Sequence, residues 1–395
     1  MLKVTLIEGG VCATDGFYAD GIAAGLKGGD KKDIAFIYAD TVCDVSAIYT
    51  TNKMLAAPLQ HAKAKGNIRS NFVLINSKNA NAMTGKRGFQ DIDTILDAVK
   101  AKFPQISSPL MSSTGVIGVH LPKEKIIDAA LSIDLTSRNP DAAAEAIMTT
   151  DRFSKTIAFE VETEAGDTFK IGAMAKGAGM INPAMATMLC FITTDIAIDQ
   201  EGVQHILERV NNQTFNAASV DGDTSTNDTV FVYANKKSNC SDSAAFEVAL
   251  TKVMTFLAKE MVRDGEGATK LITYNVIGAE DDQAAEKVAK MLSNSLLIKT
   301  AFNGEDPNWG RIAMSVGASG VTCSESTLTI AYNDLLLVEN GENLFNDALE
   351  VEAVKILKQD SFSVNVDLGV GEGRFTAYGC DLGHEYVTIN ADYRT

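Results

Sequence analysis

Residues 176–190, KGAGMINPAMATMLC, set a threonine where its hydroxyl could do covalent chemistry. Gly177 and Gly179 free the backbone and Pro183 constrains it. Thr187 stands where this bent loop hands over to the apolar run Met188-Leu189-Cys190. A hydroxyl aimed at the preceding carbonyl suits an N-to-O acyl shift. The Thr187 oxygen attacks the Ala186–Thr187 peptide bond, water cuts the resulting ester, and a new chain begins at Thr187. Threonine is a weak nucleophile without a base. An N-terminal threonine carries one, because its α-amine titrates at about 7.7–8.0. The competing reading is a β-branched residue that merely opens a buried strand, and the bare dipeptide favours it.

Other stretches carry groups that such chemistry would need. In SSTGVIGVHLP (112–122), the Thr114-Gly115 turn can present a hydroxyl and a backbone N–H together, as an oxyanion requires; an ordinary tight turn is the alternative. Lys176 reads either as a solvated charge or as a cation for a substrate carboxylate. Thr150, in a Thr-Thr-Asp cluster ending a helix, reads on its own as capping or solvent contact. Glu266 falls just past a long helix and reads on its own as a loop carboxylate in water, although a carboxylate there could also pair with a cationic amino-acid side chain. Asp221, Asp223, Ser225 and Asn227 are spaced faintly like a calcium loop. Thr226 stands where glycine is expected and no glutamate closes the loop, so no metal is expected.

The elements that must position these residues alternate irregularly. Strand patterns are expected at KVTLI (3–7), at the paired runs DIAFIYAD and VSAIYTTN, at NFVLIN, in the hairpin KTIAFEVETEAGDTFKIGAMA, and from Thr187 to about Asp199. Helical spacing marks 89–103, the stretch after Pro122, Asn139-Pro140 onward, 200–210, and SAAFEVALTKVMTFLAKEMVRDG. GVGEG (369–373) reads as a hairpin turn and INADYRT as the end of a last strand. The irregular alternation predicts an α+β layered sandwich rather than a βαβ parallel sheet.

Composition narrows the partners. The 395 residues carry a formal net charge of −16, which argues against nucleic acid or an anionic membrane. No stretch is long and apolar enough to span a bilayer, and the N-terminal MLKVTLIEGG lacks a long apolar run, so a cytoplasmic protein is expected. Six scattered cysteines form no CxxC pair, and four histidines show no HExxH spacing, so neither disulfides nor zinc are expected.

KGAGMINPAMATML resembles the self-cleavage segment of the ornithine acetyltransferase family, the bifunctional glutamate N-acetyltransferases of arginine biosynthesis. NSKNANAMTG (76–85), STGVIG, SVDGDTSTNDT, GEDPNWGRI and the tail INADYRT resemble further motifs of that family, along nearly the whole chain. One departure is Met83, which stands where the family usually has cysteine, so a thiol there is not needed for chemistry.

The resemblance implies an α chain of residues 1–186 and a β chain of residues 187–395, assembled as an α2β2 heterotetramer. The implied fold is layered like the N-terminal-nucleophile hydrolases but distinct in topology. It implies Thr187 as nucleophile, Thr114 and Gly115 as oxyanion hole, and Thr150, Lys176, Thr187, Glu266, Asn390 and Thr395 as substrate-binding residues. The implied reaction moves acetyl from N2-acetyl-L-ornithine to L-glutamate without a cofactor; whether acetyl-CoA also serves as donor stays open. A self-cleaving N-terminal-threonine amidohydrolase or aminopeptidase is the alternative.

Overall fold

The computed structural model describes residues 2–182 and 188–392. The predicted cleavage pair Ala186 and Thr187, and the terminal Thr395, lie outside the described residues. Two sheets with helices packed on them give the expected α+β layers.

The nine-stranded sheet holds β1 (Lys3–Ile7), β2 (Phe17–Ile22), β3 (Ile34–Tyr49), β4 (Ile68–Asn76), β5 (Leu110–Ser113), β6 (Lys155–Glu162), β7 (Thr168–Lys176), β8 (Leu189–Thr194) and β9 (Thr229–Ala234). Its order is β1-β6-β7-β8-β9-β3-β4-β5, with β2 on β3. Strands from both sides of the 186/187 link interleave: β7 pairs antiparallel with β8, and β8 parallel with β9. The second, six-stranded sheet holds β10 (Leu271–Ala279), β11 (Thr329–Tyr332), β12 (Leu335–Glu339), β13 (Glu342–Asn343), β14 (Ser361–Asp367) and β15 (Gly373–Cys380).

The central strands are apolar on both faces. In β8, Cys190 and Ile192 enter one core with α5 (Gln200–Gln213) and α6 (Ser243–Arg263), whereas Leu189 and Phe191 enter another. That second core includes Ala143, Ala144, Ala146 and Ile147 of α4 (Pro140–Ile147). Strands covered on both sides lose the polar alternation of a half-exposed strand. The remaining helices are α1 (Ala57–Lys63), α2 (Gly85–Lys102), α3 (Lys123–Leu131), α7 (Asp282–Asn294), α8 (Leu296–Asn303), α9 (Trp309–Ala318), α10 (Asp347–Leu357) and α11 (His384–Asp392).

Four sequence expectations are corrected. The two runs over residues 33–52 form one sixteen-residue strand, β3, which crosses its would-be turn through a register shift against β4 between Tyr38 and Cys43. β8 stops at Thr194, where the Thr194 hydroxyl turns back to accept from Ile196 N–H. GVGEG is not a hairpin turn, because β10 lies between β14 and β15 and pairs with both. The tail is a helix rather than a strand: 384–392 forms α11, which carries Asn390.

Candidate active site

β5 ends at Ser113, and the chain turns at Thr114 and Gly115. Gly115 has φ +126°, and a Cβ there would come 2.2 Å from the Lys78 carbonyl carbon, so only glycine fits. Thr114 N–H donates to Asn76 O (3.0 Å) and Val116 N–H to Lys78 O (3.0 Å), which pins the turn on the 76–79 loop. Asn227 adds a brace by donating to Ala80 O (2.7 Å) and Ser113 O (2.8 Å).

β7 delivers Lys176 to the same place. The ammonium is buried, and Nζ lies 3.4 Å from Thr114 Oγ1. Lysine has no acceptor, so it donates to Thr114 Oγ1, and the hydroxyl hydrogen of Thr114 is left to point elsewhere. Burial pulls the Lys176 ammonium below its usual range, against the opposing pull of Asp151, Asp228 and Glu266.

Asp151 anchors this corner from behind. Its carboxylate accepts from Lys155 Nζ (2.8 Å), Gly177 N–H (2.7 Å) and Thr149 N–H (2.9 Å). Burial alone would push its carboxyl up, but Lys176 and Lys155 outweigh burial and hold it at about 2. Lys155, whose side chain is wholly buried, also donates to Asp264 (2.6 Å), which Arg152 reaches at 3.0 Å.

The chain on either side of residues 183–187 is fastened by two further aspartates. Asp221 accepts from Met180 N–H (2.6 Å), Ile181 N–H (3.0 Å) and Asp223 N–H (3.1 Å). Burial lifts its carboxyl to about 6 despite these donors. Asp228, fully buried, accepts through Oδ1 from Met188 N–H (3.0 Å), the amide that follows Thr187 in the chain. Desolvation raises the Asp228 carboxyl well above its ordinary value, against the opposing pull of the Met188 N–H, the Thr50 and Ser225 hydroxyls and the Lys176 charge.

Glu266 lines the cavity beside residues 178–179. Its N–H donates to Ala178 O (2.8 Å), and its carboxylate lies over Gly179. Asn390 of α11 donates to Glu266 Oε2 at 2.7 Å and to Tyr386 O at 3.0 Å.

These residues surround one cavity of about 170 Å³. Thr114, Gly115, Thr150, Lys176, Glu266 and Asn390, each named from the sequence, line it together with Asp221, Asn227 and Tyr386. The sequence reading missed Asp151, Asp228 and Tyr386. Asp151 had one signal, its place directly after Thr150; Asp228 and Tyr386 lay inside motifs whose individual side chains carry no chemical signature.

The ArgJ family model matches residues 18–395. An arginine biosynthesis bifunctional protein ArgJ of Wolinella succinogenes is 54% identical over 100% of both chains. One from Bacillus cereus is 42% identical, again over the full length of both. A solved structure described as ornithine acetyltransferase complexed with ornithine, from Mycobacterium tuberculosis, is 32% identical and covers 47% of this chain and 100% of its own, with a TM-score of 0.40. With a family model covering most of the chain and a full-length relative at 54% identity, this chain belongs to the ArgJ family.

Proposed function

We propose that this protein is a glutamate N-acetyltransferase of arginine biosynthesis, moving acetyl from N2-acetyl-L-ornithine to L-glutamate through an acetyl ester on Thr187. The observation that carries the reading is one cavity lined by the buried Lys176–Thr114 contact together with Glu266 and Asn390. That cavity offers oxyanion donors and a cation together with a carboxylate for an amino-acid ammonium. Family membership and the names of the full-length relatives support the same reaction.

Cleavage between Ala186 and Thr187 frees the α-amine of Thr187, giving an α chain of 1–186 and a β chain of 187–395. The amine takes the proton of Thr187 Oγ as that oxygen attacks the acetyl carbonyl. Thr114 Oγ1–H and Gly115 N–H receive the developing oxyanion, with the Lys176 charge beside them. The amide bond breaks, the proton passes to the leaving amine, and ornithine departs. Glutamate enters the same cavity and its amine attacks acetyl-Thr187, reversing the steps. Lys176 serves the α-carboxylate common to both amino acids, while Glu266, held by Asn390, and Thr150 bind the rest of the substrate. Thr395 completes the substrate contacts.

Acetyl-CoA fits as an alternative acetyl source, consistent with the bifunctional name of the relatives. The working assembly is an α2β2 heterotetramer of the two chains in the cytoplasm.

The test combines N-terminal sequencing of the smaller fragment with an exchange assay. A fragment beginning at Thr187, and acetylornithine consumption that requires glutamate, are expected. A competent enzyme with an unbroken chain overturns the mechanism. Acetylornithine hydrolysis that ignores glutamate makes the protein an amidohydrolase instead.

A further inference from the structure

Residues 225–229, Ser-Thr-Asn-Asp-Thr, are all polar and all buried. Burying so many polar side chains in a row is costly unless they are bonded, and their bonds run to two places. Asn227 donates to Ala80 O (2.7 Å) and to Ser113 O (2.8 Å), the carbonyl directly before the Thr114-Gly115 turn. The Thr226 hydroxyl donates to Asn227 Oδ1 (2.6 Å), which fixes the side-chain amide in that orientation. Asp228, the next residue, accepts the Met188 N–H (3.0 Å), and Thr229 N–H donates to Met188 O (3.0 Å). The Thr50 N–H donates to Asp228 O (2.9 Å) and the Thr229 hydroxyl to Asn227 O (2.9 Å), so the segment itself is held. Three consecutive residues therefore link the oxyanion turn to the residue that follows Thr187.

The Met188 N–H is a telling point of attachment. A peptide unit is planar, so that N–H shares its plane with the Cα of Thr187. Cleavage would make Thr187 a chain end, and chain ends fray unless they are tied down. The tie at residue 188 is double, because both of its backbone groups are bonded to 228–229. Desolvation raises the Asp228 carboxyl well above its ordinary value, which favours its neutral form. A neutral carboxyl accepts through its carbonyl oxygen, as a carboxamide would.

We infer that Asp228 is a positioning residue, which with Asn227 beside it holds Thr187 in line with the oxyanion donors Thr114 and Gly115. The inference rests on the acetyl-transfer reading above. The described residues lining the cavity include Ser225, Thr226 and Asn227 but not Asp228, so Asp228 acts through the Met188 amide and not on substrate. Its contribution falls on alignment for attack, and hence on kcat. Affinity is supplied from other elements, by Lys176 at the end of β7 and Glu266 past α6.

The test compares wild type with Asp228→Asn, Asp228→Ala, Asn227→Ala and the double variant N227A/D228A. Intact mass gives the cleaved fraction of each, and rates are counted per cleaved chain, so that impaired processing does not enter. Asp228→Asn keeps an acceptor for the Met188 N–H and should hold kcat within about threefold of wild type. Asp228→Ala removes the acceptor. Its kcat should fall about tenfold to a hundredfold, the scale of a small misplacement of reacting groups, while KM for acetylornithine and for glutamate changes less than about twofold. Asn227→Ala should also lower kcat. The double variant should be no slower than the slower single one, because both substitutions open the same link. A carboxyl that serves stability alone would lower the melting temperature and leave kcat per cleaved chain intact, which overturns the inference. Losses that multiply in the double variant overturn it too, as does an Asp228→Asn as slow as Asp228→Ala. If Asp228→Ala yields no cleaved chain, a slow Asp228→Asn or a fast Asn227→Ala still overturns it. A wild type without acetyl transfer fails the underlying reading instead.

Discussion

A Cβ on Gly179 would sit 2.5 Å from the carboxyl carbon of Glu266. The glycine three residues beyond the end of β7 thus makes room for the Glu266 carboxylate that lines the cavity. Asn390 holds that carboxylate from the other side at 2.7 Å, so it cannot simply swing away. Gly179→Ala should displace Glu266 and raise KM for acetylornithine about tenfold, the loss of one charge-assisted contact. The effect on kcat should be much smaller. Steady-state kinetics check the split, and an unchanged KM would separate Glu266 from substrate binding.

Thr114 and Gly115 are distinguishable by variant. Thr114→Ala removes one hydroxyl and leaves the turn's backbone bonds in place, so the fold should persist while kcat falls about 10²–10³-fold. Gly115→Ala forces a side chain into the Lys78 backbone at a φ of +126° and should destabilise the protein by about 1–3 kcal/mol. Thermal melts beside the exchange assay tell them apart; near-normal turnover in Thr114→Ala would remove its oxyanion role.

Asp151→Asn should be among the costliest substitutions in the chain. It leaves the buried Lys155 and Lys176 without one of their counter-charges, a loss on the order of 3–5 kcal/mol. The sign of the pH effect follows from its depressed carboxyl. Folded at about 2 and ordinarily at 3.8, it contributes stability that is fully present above pH 4 and lost as pH falls toward 2. Denaturant titrations from pH 2 to 5 should show that slope in wild type and a reduced one in the variant.

Asp221 works in the opposite direction. Its folded carboxyl, lifted by burial to about 6 from 3.8, makes its contribution to stability fall as pH climbs from about 4 to 6. Ionisation over the same window strengthens its grip on Met180 and Ile181 N–H, so acetyl transfer should rise through pH 6. Asp221→Asn should flatten that limb of the pH–rate profile. A limb that persists unchanged assigns it to another group.

Lys176→Met keeps the length of the side chain and removes its charge. KM should rise for both acetylornithine and glutamate, because one cation serves both carboxylates, and kcat should fall with loss of the charge beside Thr114. Unchanged affinity for either amino acid would end the shared-carboxylate role.

The residues that line the cavity were legible in the sequence because they sit in motifs that resemble those of a known family; on its own Thr114-Gly115 reads as an ordinary tight turn and Thr150 as helix capping. Thr114-Gly115, Lys176 before its glycines, Glu266 past a helix end and Asn390 in the tail could each be named without knowing what lay opposite. What they face was not legible. Asp151, Lys155 and Asp264 form a buried charge network across more than a hundred residues of chain, and no local pattern tells a buried aspartate from a solvated one. The same holds for Asp228, whose place beside the Met188 amide depends on β8 and β9 pairing in register.

Local composition also misled where pairing decided the outcome. Residues 361–380 look like a hairpin, but β10 offers both strands a partner and separates them. The tail carries strand-like residues, yet it winds into α11, from which Asn390 reaches Glu266. The sequence alone determined which groups were available, and the resemblance of its motifs to a known family supplied the expectation of acyl transfer at a threonine. The tertiary structure decided which charges are buried together, because burial and long-range pairing set by the whole fold fix each group's neighbours and protonation.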